Sequence, residues 1–367
     1  MLSAFCWFLL SSTSQALPLK IHPTVGPRGW VNTNLVGATF ISDIAVLGSQ
    51  VYAGGLLEGG VYPLEYLAGQ LWLFTPPATW TAQYSTPLVF SKVESLITNA
   101  AQTLLYSSVG NVDDASVDSF TPLASAPVAL DDISTAVEAA STVVDLSLGP
   151  DGALFAAGGT TEFPPLGEVW RWDGTNWNST DFSAKGQGTA IWLTYATPGL
   201  YVAANTYTGT NPVVWVYLSS TWRNTNLPVD KMNALNSLNV DSHNNLYAVG
   251  ATTSSGSSKG SLLIYQNSQW AALPVPTNSN ELSVIAFRHS PRSNKDFIYA
   301  GGLNKNGVGA VWYGAPCPSA PYCWYDTELS GASDITAMNF SGRILYAGGT
   351  STEPSVASIW SLVTPNY

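Results

Sequence analysis

Along this chain hydrophobic and polar residues alternate in short runs, and each run ends in a cluster of Gly, Pro, Asn, Asp or Ser. Period-two alternation marks a strand with one buried face, and the terminating residues are turn formers. The runs recur at a long period. An aromatic residue preceded by an apolar one stands at Tyr52, Tyr106, Phe155, Tyr201, Tyr247, Tyr299 and Tyr346, at successive spacings of 54, 49, 46, 46, 52 and 47 residues. Before each lies an apolar segment and a turn, as in VVDLSLGPDGALF (143–155) and ITAMNFSGRILY (335–346), which predicts a β-hairpin. After each, the run passes through Gly-Gly or another small pair into a polar loop and a second hairpin. That hairpin is clearest in EVWRWDGTNWNST (168–180), with Asp173-Gly174 at its turn. Trp172 and Trp177, Tyr217 and Trp222, and Tyr265 and Trp270 are each five apart, and Phe74 and Trp80 six. Each unit therefore predicts four antiparallel strands, a to d.

A four-stranded sheet of this length cannot bury both faces alone, so neighbouring units must stack on it. Radial stacking predicts an all-β, seven-bladed propeller of four-stranded antiparallel blades. The aromatic residues then belong to the packing between blades. The last unit supplies strands a, b and c but no d. RGWVNTNL (28–35) resembles an isolated d strand: Trp30-Val31-Asn32-Thr33-Asn34-Leu35 repeats the pattern of Trp222-Arg223-Asn224-Thr225-Asn226-Leu227. The N-terminal strand is thus expected to complete the last blade, removing the free edge of an open ring.

An apolar strand, Gly-Gly, a polar loop, an aromatic and then Trp five or six residues later resembles the kelch repeat. Gly54-Gly55, Gly158-Gly159, Gly301-Gly302 and Gly348-Gly349 keep the double glycine, while YSSVG, YVAAN and YAVGA depart from it. The unit at about 93–137 also lacks the late tryptophan. The resemblance implies a propeller fold. It does not imply one activity, because kelch propellers include copper oxidases, protein-binding adaptors and lectin-like modules. The copper chemistry needs paired His and Tyr and a cross-linked Cys. His22, His243 and His289 are the only histidines, the latter two in a–b turns, so neither a metal nor another cofactor is expected.

Composition narrows the picture further. Charged residues make up 10% and the net charge is -11, which argues against a nucleic-acid partner. Residues 1–16, MLSAFCWFLLSSTSQA, carry an uncharged apolar run and a small-x-small ending, as expected of a signal peptide. Residues 17–367 are then expected to form a single propeller domain, secreted, periplasmic or extracellular and monomeric, with no membrane span. Cys317 and Cys323, in a Pro-rich loop, suit a disulfide in an oxidising compartment better than a metal site. Asn178 and Asn339 open glycosylation sequons. GSSKG (256–260) matches Gly-x-Ser-x-Gly around Ser258, but without a predicted helix it carries no nucleophile elbow. Asp113, Asp114 and Asp118 lack EF-hand spacing and read first as a solvated acidic loop and second as a loose Ca²⁺ site.

In a propeller the b–c and d–a loops share one face, where ligands commonly sit near the axis. Glu58, Tyr62, Glu65, Tyr66, Glu162, Phe163, Tyr207 and Glu353 are the large or charged side chains expected on that rim. Aromatic and carboxylate groups suit a carbohydrate or a protein surface. The expected function is an exported, non-enzymatic binding module for a glycan or protein. The alternative is a glycan-active hydrolase or lyase using Asp43, Asp145 or Asp334 around the central channel, which requires those carboxylates to converge.

Overall fold

The computed structural model of the chain describes residues 29–59, 66–75, 79–85, 92–110, 115–121, 128–129, 139–162, 166–182, 187–206, 211–254, 256–353 and 356–365. These residues form seven four-stranded antiparallel sheets, the blades of a propeller. Blades 1 to 6 each take four consecutive strands, beginning at Ala38, Lys92, Ala140, Gln187, Ala234 and Ser279. Blade 7 takes strands a (Ala337–Ser341), b (Ile344–Thr350) and c (Ala357–Val363) from the end of the chain. Its d strand is Val31–Asn32 from the beginning. Val31 pairs with Ser361 and Asn32 with Trp360. The ring is closed by the N-terminal strand, as expected.

Seven hydrophobic clusters occur among the described residues, one at each junction between neighbouring blades. The junction of blades 7 and 1, for example, joins Ile41, Ile44 and Trp72 to Tyr346 and Ile359. Six of the recurring strand-b aromatics, Tyr52, Phe155, Tyr201, Tyr247, Tyr299 and Tyr346, are buried in these layers, and Tyr106 is half-buried. The c–d spacings are cross-strand pairs: Phe74 faces Trp80, Trp172 faces Trp177, Tyr217 faces Trp222 and Tyr265 faces Trp270. Their ring centroids lie 4.9–5.3 Å apart, the separation of favourable aromatic contact.

The double glycine is explained by close approach, in mid-strand rather than at the strand's end. A Cβ on Gly349 would stand 2.0 Å from the carbonyl oxygen of Asp334, and one on Gly348 would stand 2.6 Å from Ile41 Cγ2 of blade 1. One glycine admits its own strand a and the other admits the next blade. Gly250, in one of the three units that lack the pair, meets the carbonyl of Ala234 in the same way.

Four d strands end in one repeated device. Trp30, Trp177, Trp222 and Trp324 are each followed three residues later by a buried threonine: Thr33, Thr180, Thr225 and Thr327. The Oγ1 of each threonine donates to a strand-c carbonyl of its own blade at 2.6–2.7 Å. The next residue in each case has a positive φ of 57–59°, at Asn34, Asp181, Asn226 and Glu328. Its N–H donates to the side-chain oxygen two positions earlier at 2.7–3.0 Å. Tryptophans then join blade to blade. Trp80 Nε1 donates to Thr33 Oγ1, Trp270 Nε1 to Thr225 Oγ1 and Trp30 Nε1 to Thr327 Oγ1, at 3.0, 3.0 and 3.1 Å. Trp222 Nε1 reaches the carbonyl of Thr180 at 3.0 Å. The segment 30–35 thus completes blade 7 and also joins it to both neighbours.

Two of the motif residues, Ser258 and Asp118, lie on strands. GSSKG belongs to a hairpin in which Ser257–Gln266 follows Leu246–Ser254, so Ser258 lies on a strand and donates to the carbonyl of Asn280. Asp118 is not in a solvated loop. It is buried in the strand Ala115–Phe120, and burial pushes its carboxyl up to about 6.

Candidate functional site

The seven a strands surround a cavity of about 290 Å³ at the propeller axis. Its wall includes Asp43, Glu94, Ser95, Asp145, Asn239 and Asn339. A bulge in strand a, between Ile41 and Asp43, Val93 and Ser95, and Val143 and Asp145, turns these polar residues toward the cavity, while Ile41, Ile44, Val143 and Leu146 on the same strands are buried between blades.

Asp43 and Asp145 converge as the enzymatic alternative requires. Ser95 Oγ lies 2.9 Å from Asp145 Oδ1 and 3.4 Å from Asp43 Oδ2, so one hydroxyl stands between the two carboxylates. Asp43 Oδ1 accepts the N–H of Ile44 at 2.7 Å, and Oδ2 accepts that of Leu96 in blade 2 at 2.8 Å. Asp145 Oδ1 accepts the N–H of Leu146 at 2.8 Å, and Oδ2 accepts that of Leu193 in blade 4 at 2.6 Å. Burial pushes the Asp43 carboxyl up to about 6 against these N–H bonds. Burial pushes Asp145 up to about 7, opposed by the Leu193 N–H and reinforced by the charge of Asp43. Both side chains keep some surface toward the cavity. That narrow space does not hydrate a carboxylate as bulk water does.

Asp334 does not join the pair. In blade 7 the cavity is lined by Thr336, Ala337, Met338 and Asn339, and Asp334 Oδ1 accepts the N–H of Ile335. Its carboxyl is raised by burial, with Glu281 adding to the effect. Glu94 reaches the cavity wall and pairs with Lys92 at 2.6 Å.

The amides Asn239 and Asn339 repeat the geometry with donors in place of acceptors. The Oδ1 of each accepts the next residue's N–H at 2.7 Å. Asn239 Nδ2 donates to the carbonyl of Ile285 in blade 6, and Asn339 Nδ2 to that of Ile44 in blade 1, both at 2.8 Å. These four side chains link the a strands of adjacent blades. A glycan on Asn339 would have to displace its bond to Ile44. Asn178 is exposed, with its amide on Asp173 Oδ2 and the carbonyl of Asn176.

The rim is placed in part. Glu162 and Glu353 are exposed on the b–c face. Glu58 and Tyr66 lie on paired strands rather than in a loop, opposite Leu67 and Gly59. Tyr62, Glu65, Phe163 and Tyr207 lie outside the described residues. Ser95 was not singled out in the sequence. An inward-facing serine among many on alternating strands carries no motif, and only the ring brings it between two aspartates. Cys317 and Cys323 form a disulfide with Cα atoms 5.7 Å apart across the c–d hairpin of blade 6, consistent with an oxidising, extracellular environment. Among the described residues no helix is long and apolar enough to cross a membrane.

No protein-family model and no curated protein matches the chain. Solved structures do. A chain in the crystal structure of a mitotic checkpoint complex superposes with a TM-score of 0.60 at 13% identity, over 100% of both chains. The propeller of Dos1 superposes with a TM-score of 0.54 at 12% identity, over 92% of this chain and 95% of that one. At such identities the likeness establishes the seven-bladed propeller fold, a fold that often serves as a binding module.

Proposed function

We propose that this chain is an exported, non-enzymatic propeller of kelch type that binds a glycan or a protein surface through its b–c and d–a loop face. The observation that carries this is the state of the axial aspartates. Every oxygen of Asp43 and Asp145 accepts a main-chain N–H, and each residue ties its own blade to the next. These bonds hold each carboxylate against a neighbouring main chain and leave fewer of its lone pairs for a substrate proton. With the axial carboxylates acting as fasteners, the loop face is left to recognise a ligand, and Glu162 and Glu353 stand exposed on it. The use of a propeller in a checkpoint assembly is a precedent for protein partners.

Export fits the disulfide, and residues 1–16 would be the signal removed. The mature protein would then begin at Leu17, which N-terminal sequencing of secreted material checks. The function is tested by a glycan array and by pull-down from extracellular material, with Glu162→Ala/Glu353→Ala as comparator. Specific capture that weakens in the double variant is the expected result. No capture by either route, together with turnover of a glycan, would overturn it.

A second reading has one observation in its favour: Asp43 and Asp145 converge with carboxyls raised toward neutrality, as an acid–base pair would be. Glycan turnover abolished by Asp145→Asn would establish that reading.

A further inference from the structure

The a–b turns form the face opposite the b–c loops. His243 lies there in the turn between strands a and b of blade 5, and His289 lies near the end of strand a of blade 6. Directly across from His289 in the blade 6 ladder is Asp296. The Asp296 side chain is only 3% exposed, whereas those of His243 and His289 are 42% and 35% exposed.

Both imidazoles turn the same nitrogen toward this one carboxylate. His243 Nδ1 is 2.7 Å from Asp296 Oδ2, and His289 Nδ1 is 3.2 Å from Asp296 Oδ1. Ser242 Oγ stands 2.8 Å from Asp296 Oδ2, 2.8 Å from His289 Nδ1 and 3.4 Å from His243 Nδ1. Two imidazole nitrogens and a hydroxyl therefore gather around one carboxylate, His243 and Ser242 on Oδ2 and His289 on Oδ1. A second carboxylate, Asp241, has an oxygen within 4.8 Å of both His243 and Asp296 donor atoms. Asp241 also shapes the turn by accepting the N–H groups of His243 and Asn245, each at 2.9 Å. Among the described residues the ion-pair partners of Asp296 are these two imidazoles, which are cationic only when protonated. A buried carboxylate in that setting favours a bound cation.

We propose that His243, His289 and Asp296 form a binding site for a divalent transition-metal ion of the zinc class, bridging blades 5 and 6. Ser242 or water takes the fourth position. Ligand atoms at ~2.0–2.1 Å from a tetrahedral zinc stand roughly 3.3–3.5 Å apart. The His289–Asp296 separation is already close to this spacing. The His243–Asp296 separation must widen by under about 1 Å, which a half-exposed ring at a turn allows. Two imidazole nitrogens select zinc-like ions over calcium or magnesium, which take oxygen ligands. The ion would lie away from the axis and fasten blade 5 to blade 6 from the turn face.

The test uses the full-length protein, stripped with a chelator and titrated with zinc chloride by calorimetry and with cobalt(II) by visible absorption. Saturable binding of a single zinc at micromolar concentration is expected, with a higher melting temperature and the visible bands of tetrahedral cobalt. Calcium and magnesium should do neither. His243→Ala and His289→Ala should each weaken zinc binding at least about tenfold, and the double variant should lose the cobalt bands. Each variant should keep the wild-type circular dichroism in chelator, and the zinc-dependent rise above its own chelator melting temperature should be lost in the double variant. His22→Ala should bind as wild type. Zinc binding only at millimolar concentration, an unchanged double variant, or loss of binding in His22→Ala would each overturn the proposal.

Discussion

The blades are joined differently at the rim and at the axis. At the rim the links are neutral and repeated, with tryptophan N–H groups reaching the end of the preceding blade's d strand in the junctions of blades 3–4, 4–5, 6–7 and 7–1. At the axis the links are individual, with a carboxylate accepting an N–H at two junctions and an amide donating to a carbonyl at two others. A neutral hydrogen bond between packed aromatic layers works equally well at every junction and is insensitive to pH. A carboxylate facing a narrow cavity has its affinity for a proton set by burial and by its neighbours. The rim therefore supplies regular closure, and the axial carboxylates add a pH-dependent contribution that the rim bonds lack.

The largest effect should come from breaking the rim where it is discontinuous in the chain. Deleting residues 28–36 removes the d strand of blade 7, buried Leu35 and the bonds to Thr327 and from Trp80. A loss of about 5 kcal/mol or more is expected in chemical denaturation, and a truncated protein that unfolds like wild type would break the closure model. Next come the tryptophans. Trp222→Ala should cost about 3–5 kcal/mol, and half-buried Trp30→Ala somewhat less. If Trp30→Ala has no effect, the N-terminal copy does not act as its counterpart does.

The threonines sharpen the same comparison. Thr33→Val and Thr225→Val each remove a hydroxyl that donates to a strand-c carbonyl and accepts a tryptophan N–H. Each should cost about 1–3 kcal/mol. Nearly equal values would mean that the distant strand is held as firmly as a continuous one.

The smallest effect at any single pH should be at the axis. The folded carboxyls of Asp43 and Asp145 lie at about 6 and about 7, above the ordinary carboxylate value. Protonation thus favours the folded state. Their contribution is fully present below pH ~4, the unfolded value, and is lost as pH rises through 6 and 7. The difference in denaturation midpoint between wild type and Asp145→Asn should change between pH 5 and 8, with wild type losing ground. A constant difference would remove the axial carboxylates as the source of pH dependence. Thr33→Val should show no such trend.

Much of the rim was legible in the sequence, because a device repeated at several junctions leaves a repeated pattern. Trp30-Val31-Asn32-Thr33-Asn34-Leu35 matched Trp222–Leu227, and every shared residue does the same thing twice. The tryptophans send N–H bonds across a junction, and the asparagines make the same turn with φ near 57°. Both threonines accept an indole and both leucines are buried. The double glycine was legible as a motif, but its cause was not. Whether a glycine serves positive φ or close approach depends on a strand that lies elsewhere in the sequence. Blade 2, whose unit lacks the late tryptophan, has Val128–Ala129 as its d strand among the described residues.

The sequence by itself determined the strand periodicity, the number of blades, the closing strand and the cysteine pair, because each leaves a local or periodic pattern. Tertiary structure alone decided which polar side chains meet. Asp43, Ser95 and Asp145 come from three blades and become neighbours only when the ring closes. His243 and Asp296 are 53 residues apart, and the packing of blade 5 on blade 6 joins them. Alternation, adjusted by the bulges in the a strands, specifies that a residue faces inward or outward. It does not specify what that residue faces, because the register between blades is set by packing across the ring rather than by either strand's own pattern.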